Sequence, residues 1–130
     1  MTMAIGNITK MIATDETVAA ASTHTQGAEF TAVDIDVRNK RIGTIMFYVK
    51  GGNASASGNI VFTVQTSPDK VNWFDEEAKT VIMSGTSLIT DTTASYPVKF
   101  DGYGYVRLST IQNTDASYTC ETNVALFIKE

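Results

Sequence analysis

His24, Cys120 and the acidic run Asp75-Glu76-Glu77 are the residues of this chain whose types could carry out catalysis. His24 is the only histidine. A Ser-His-Asp or Cys-His pair needs its histidine held in a rigid pocket, whereas His24 falls in a weakly patterned stretch. A zinc site would have to combine His24 with Cys120 and carboxylates, and no ligand spacing supports one. Paired carboxylates hydrolyse glycosides when they face each other across a cleft. Consecutive ones diverge, so the acidic run reads as a solvated turn, with calcium as a lesser use of its oxygens and Asp69 as a helper. Asp34 and Asp36, bordered by Arg38, read as solvated strand residues. The glycines around Gly51 and Gly58 lack the Lys-Ser/Thr pair of a phosphate loop. The expectation is a chain that is no enzyme and takes no cofactor or metal.

Binding chemistry has better candidates. Tyr103 and Tyr105 share one face of a strand at period two, and Arg107 follows on that face. Such a stripe stacks on a sugar ring or on bases; the plainer use is to shield a sheet face, with Arg107 paired to a carboxylate. Trp73, the only tryptophan, is expected to plug the core, a ligand platform being its alternative role. Trp73, Tyr103, Tyr105 and Arg107 are therefore the candidate interaction residues.

These residues must be positioned by strands. Ile60, Phe62 and Val64 share one face while Thr63 and Gln65 take the other, and Ser67-Pro-Asp-Lys70 then turns the chain toward Trp73. Val33, Ile35 and Val37 alternate with Asp34, Asp36 and Arg38, and Asn39-Lys40 gives a turn. Ile45, Phe47 and Val49 alternate with Thr44, Met46 and Tyr48. Gly51 to Gly58 reads as a flexible polar loop without an apolar anchor. Val81 to Met83 and Leu88-Ile89 are short candidate strands about Ser84-Gly85, and Asp91 to Ser95 reads as a loop. Tyr96, Val98 and Phe100 alternate again, with Pro97 marking a strand start or an edge. Asp101-Gly102 turns into a strand over Tyr103 to Thr110. The last strand spans Tyr118 to Lys129. Its centre, Val124 to Ile128, is apolar on both faces, which fits a central strand or an outer face covered by another chain. Short strands with regular turns predict an all-β antiparallel β-sandwich, jelly-roll or Greek-key-like. Residues 1–27, rich in Ala and Thr, read as an extended N-terminal arm, loose or ordered by a neighbouring subunit. Residues 28–130 then form the sandwich domain. Within the arm, Ile5, Ile8, Met11 and Ile12 fit a short helix or a strand.

Composition narrows the function classes. At 130 residues the chain is one domain by size, able to bury about two-thirds of its unfolded surface without a staple. Lone Cys120 forbids an internal disulfide and suits a small buried residue. A net charge of −4 without a Lys/Arg cluster argues against nucleic acid as partner. No segment reads as a signal peptide or reaches the ~20 apolar residues of a bilayer span. The sequons Asn7-Ile-Thr9 and Asn53-Ala-Ser55 are taken as chance matches. Only 18% of residues are charged, and many outward strand positions are Thr, Ser, Ala or Asn. Such faces suit permanent contacts, because little charge must be desolvated on burial.

The block from Phe62 to Trp73 resembles one in small β-sandwich proteins of tailed-phage virions. Those carry a strand ending in Val-x-Val-Gln, a Ser-x-Asp-Gly turn and an Asn-Trp pair, then a strand reading Gly-Tyr-Val-Arg-Leu and a final apolar strand. The later elements look like Gly104 to Leu108 and Val124 to Ile128, so the likeness covers roughly residues 59 to 130. Phe62 stands in place of the first Val, and Lys70 where the family usually has glycine. The resemblance implies a non-enzymatic virion component made in the host cytoplasm, first a capsid decoration (cement) protein, then a tail or baseplate module. Its partners would be copies of itself, a trimer first, and major capsid or tail proteins, with neither nucleic acid nor membrane. The same hairpin also looks like that of discoidin-type carbohydrate-binding modules, which makes a glycan the alternative partner. Those modules are longer and usually stapled by cysteines absent here. The sialidase Asp-box is a poorer match, since no glycine follows Asp69 at the needed position.

Overall fold

The computed structural model describes residues 7–31, 33–76, 78–82, 92–99 and 104–129. They form strands β1 (Asn7–Val18), β2 (Ser22–Thr25), β3 (Ile35–Asp36), β4 (Ile42–Gly51), β5 (Asn59–Ser67), β6 (Phe74–Asp75), β7 (Lys79–Ile82), β8 (Thr92–Lys99), β9 (Tyr105–Asn113) and β10 (Cys120–Lys129). All strand pairs are antiparallel. A four-stranded sheet runs β1-β10-β4-β8. A six-stranded sheet runs β2-β9-β5-β6, with β3 also on β9 and β7 also on β5. The fold is the all-β sandwich that the alternation predicts.

Period two sets which side chains meet between the sheets. Ile45, Phe47 and Val49 of β4 and Val124, Leu126 and Ile128 of β10 point inward from one sheet. Ile60, Phe62 and Val64 of β5 and Val106, Leu108 and Ile111 of β9 oppose them from the other. Phe47 and Phe62 join the layers, their ring centres 4.7 Å apart at a 31° tilt. On β9 the inward spacing changes from two to three. Thr63 pairs with Thr110 and Val64 with Leu108, so the β9 strand carries a bulge at Ser109. The extra residue restores the inward aim of Ile111.

Several expectations are corrected. Of the stretch read as an arm (residues 1–27), residues 7–25 supply β1 and β2, each in a different sheet. Ile12 and Val18 are fully in the core, and β1 covers the edge of β10 along most of its length. Small Ala and Thr residues conceal this because the apolar ones are widely spaced, and β1 is bulged between Met11 and Ala13 and between Ala13 and Glu16. The 51–58 loop has an apolar anchor, buried Ala56. Backbone N–H groups of Ser57 and Gly58 donate to Asp115 Oδ2 at 2.9 and 3.2 Å. The segment 91–95 read as a loop is strand from Thr92 onward, in register with β4. Pro97 lies on that strand, which ends its sheet as an edge. Asn39 makes its turn at φ 67. The candidate strands and turns over 83–91 and 100–103 lie outside the described residues.

Candidate functional site

The outer face of the six-stranded sheet gathers the candidate residues. Val106 and Leu108 of β9 point into the core, so Tyr105 and Arg107 between and beside them point out. Across β5, Gln65 is in register with Arg107, and Asp75 of β6 is in register with Gln65. Across β3, Asp36 is in register with Tyr105.

The connection between β5 and β6 folds onto this face because its first residues hydrogen-bond their own backbone. Ser67 Oγ accepts from the N–H of Lys70 at 2.8 Å and of Asp69 at 3.2 Å. Asp69 Oδ1 accepts from the N–H of Val71 and of Asn72, both at 2.8 Å, and Oδ2 from the Asn72 side chain at 2.7 Å. Those donors, the backbone ones foremost, hold the Asp69 carboxyl well down, at about 2. Lys70 takes a left-handed φ of 64, a conformation that glycine adopts without steric cost. Gly104 closes the turn from the other side: its N–H donates to Ser67 O at 2.9 Å. A Cβ there would lie 2.8 Å from Pro68 O. The Ser-Pro-Asp turn and the Gly-Tyr-Val-Arg-Leu strand are thus one packed unit.

Trp73 ends the connection, and its place corrects the expectation of a core plug. The ring is half-buried on the outer face, with the Arg107 guanidinium carbon 3.8 Å from its centroid. Its Nε1 donates to Lys70 O at 3.2 Å. Arg107 Nε donates to the Gln65 carboxamide at 2.9 Å, where a carboxylate was expected. Gln65 Nε2 donates in turn to Asp75 Oδ1, also at 2.9 Å. Tyr105 has two cations over its ring, Lys70 Nζ at 5.1 Å and the Arg38 guanidinium carbon at 5.3 Å. Arg38 is held by Asp36 through Nε and Nη2, the latter at 2.7 Å. The pair lowers the Asp36 carboxyl to about 2 and raises the Arg38 pKa. Tyr103 lies outside the described residues. Gln65, Asp75, Lys70, Arg38 and Asp36 complete the cluster and were not legible as parts of it, since only strand register and the turn bring them together.

Of the residues with catalytic types, Asp75 belongs to this cluster through Gln65, while His24 and Cys120 lie apart from it in the sheets. His24 Nδ1 of β2 faces Glu16 Oε1 of β1 at 3.1 Å. Cys120 is buried at the start of β10, and that burial pushes its thiol up to about 11. Asp75 and Glu76 diverge, Glu76 accepting from Thr66 Oγ1 at 2.7 Å; Glu77 lies outside the described residues. Asp115 ties one end of the sandwich, accepting at Oδ1 from the N–H of Ser117 and Tyr118 and at Oδ2 from Ser57 and Gly58. Those backbone donors lower it to about 2.

The sequence matches no family model and no curated protein. Among solved structures, the SPBc2 prophage-derived protein YomS is similar over 98% of both chains, at 9% identity and a TM-score of 0.45. A chain of the disulfide-linked pili of Bacillus endospore appendages is similar over 95% of this chain and 88% of its own, at 18% identity and a TM-score of 0.42. The Clostridium thermocellum xylanase 10B fragment with modules CBM22-1 and GH10 is similar over 96% of this chain and 26% of its own, at 14% identity and a TM-score of 0.44. At such identities and scores these likenesses carry no argument about function.

Proposed function

We propose that the chain is a non-enzymatic structural subunit of a virion, first a capsid decoration protein and otherwise a tail or baseplate component. The observation that supports this reading is the outer face of the four-stranded sheet. A half-buried antiparallel strand places polar residues outward, yet β10 places Ala125 and Phe127 there. Met11, Ala125 and Met46 stand in register across β1, β10 and β4. Ala125 is only 3% exposed within that row, while Phe127 is 39%, Met11 41% and Ile42 45% exposed. An apolar outer row of this kind suits a face that another subunit covers. On a shell the same modest contact repeats, so that many weak interfaces hold together. Copies of this chain, as a trimer, and the major capsid or tail protein are the proposed partners.

The test uses particles produced from the genome that encodes the chain, with and without its reading frame. Heads lacking the chain are expected to rupture at lower temperature, and purified chain to restore them. Phe127→Lys should fold normally and fail to restore. Intact particles that never contain the chain would refute the reading.

A further inference from the structure

We propose that the opposite, outer face of the six-stranded sheet binds a neutral glycan, with Trp73 and Tyr105 as stacking platforms and Arg107, Gln65 and Asp75 as its hydrogen-bonding edge. The inference is independent of any virion role, because it rests on a different sheet.

Three features carry it. Trp73 and Tyr105 sit half-buried on one face although neither contributes to the core. Aromatic rings placed outward with a polar handle suit a ligand that is apolar on one side and hydroxylated at its rim. The polar groups beside them alternate as donor and acceptor: guanidinium, carboxamide, carboxylate. A sugar hydroxyl both donates and accepts, so a pair of neighbouring hydroxyls matches such an alternating row. Arg107 spends Nε on Gln65, and Asp75 takes the carboxamide on Oδ1. The guanidinium Nη groups and the second carboxylate oxygen are the atoms that would meet the ligand.

Charge decides between ligand classes. Arg38, Lys70 and Arg107 are cations of this face, and Asp36, Asp69 and Asp75 stand among them. Arg38 is closed onto Asp36 in a two-point pair. Among the described residues Arg107 and Lys70 hold no carboxylate partner, but three carboxylates stand against three cations. A polyanion needs an excess of positive charge, whereas a neutral sugar needs fixed dipoles. The side chains are fixed before binding, since Arg107 is held between Gln65 and the Trp73 ring and Trp73 is tied to Lys70 O. That lowers the ordering cost of binding.

The chain carries its own reporter, because Trp73 is the only tryptophan. The full chain is titrated with dextran, galactan, mannan and β-glucan while tryptophan emission and its quenching by acrylamide are followed. Retardation in gels containing each polymer is measured in parallel. At least one neutral polymer is expected to shift the emission, shield the ring from acrylamide and retard the chain equally at about 50 and about 200 mM salt. Gln65→Ala and Tyr105→Ala, both retaining the tryptophan, should weaken the retardation about tenfold or more with an unchanged far-ultraviolet spectrum. Wild-type chain that none of the four polymers retards would overturn the proposal. So would binding confined to dextran sulfate or a single-stranded oligonucleotide and lost as salt rises.

Discussion

The Arg107 guanidinium carbon stands 3.8 Å from the centre of the Trp73 ring, and this contact joins the two sequence blocks of the hairpin unit. Trp73 closes the turn that begins at Ser67, and Arg107 lies on the strand that Gly104 opens. The stack and the Gln65 bond together hold the connection against the sheet. Arg107→Ala should cost about 1–2 kcal/mol in urea unfolding and move tryptophan emission to the red as the ring gains water. Arg107→Lys keeps the charge and loses the planar fork, so it should fall between the two. Unchanged stability and emission in Arg107→Ala would show that the stack orders nothing.

Two glycines are required by close backbone approach. A Cβ on Gly58 would lie 2.5 Å from Asp115 N, and one on Gly104 would lie 2.8 Å from Pro68 O. The obstacles include backbone in both cases, so neither yields without moving a loop. Gly58→Ala and Gly104→Ala should each destabilise by roughly 1–3 kcal/mol. Chemical or thermal denaturation checks this, and a melting temperature within error of wild type in both would contradict the packing described.

Acid should unfold the chain through particular carboxylates. Asp69 and Asp115 both fall from 3.8 to about 2 in the folded protein. In the unfolded chain an aspartate titrates near 3.9. Above about pH 4 both states are ionised and the full stabilisation is present. Between about pH 4 and about pH 2 the unfolded state binds more protons, so stability falls with pH through that window. The urea midpoint should therefore be level down to about pH 4.5 and drop below it. In Asp115→Asn the midpoint should be lower at neutral pH, because an amide nitrogen faces backbone donors, and its acid-side decline should be shallower. An equally steep decline in that variant would remove Asp115 from the account.

The readable part of the fold was its inward alternation. Ile45, Phe47 and Val49, and likewise Ile60, Phe62 and Val64, occupy the core faces that period two assigned. A bulge breaks the period on β9: Ile111 lies inward only because that strand carries an extra residue at Ser109. The candidate site was legible as residue types and not as a cluster. Arg38 and Lys70 meet on Tyr105 only through the pairing of β3 with β9 and the left-handed turn at Lys70. Neither register nor turn handedness is written in local propensity. Large aromatics bury well, which favours an inward Trp73, yet Arg107 and the Lys70 carbonyl satisfy its ring and its N–H outside.

The status of the N-terminal stretch in an isolated chain turns on one core residue. Ile12 is fully in the core although it precedes the first conspicuous alternating segment by some twenty positions. If residues 7–18 were an arm that ordered only against a neighbouring subunit, truncating Ile12 would leave the stability of an isolated chain untouched. As a strand on β10, Ile12 fills space between the sheets, and Ile12→Ala should cost about 2–5 kcal/mol. Thr17→Ala, on the same strand but exposed, should stay within about 0.5 kcal/mol of wild type. Both are measured by urea unfolding at dilutions low enough to exclude association. A silent Ile12→Ala would return the stretch to an arm. A large loss there beside a silent Thr17→Ala places β1 in the folding unit of the single chain.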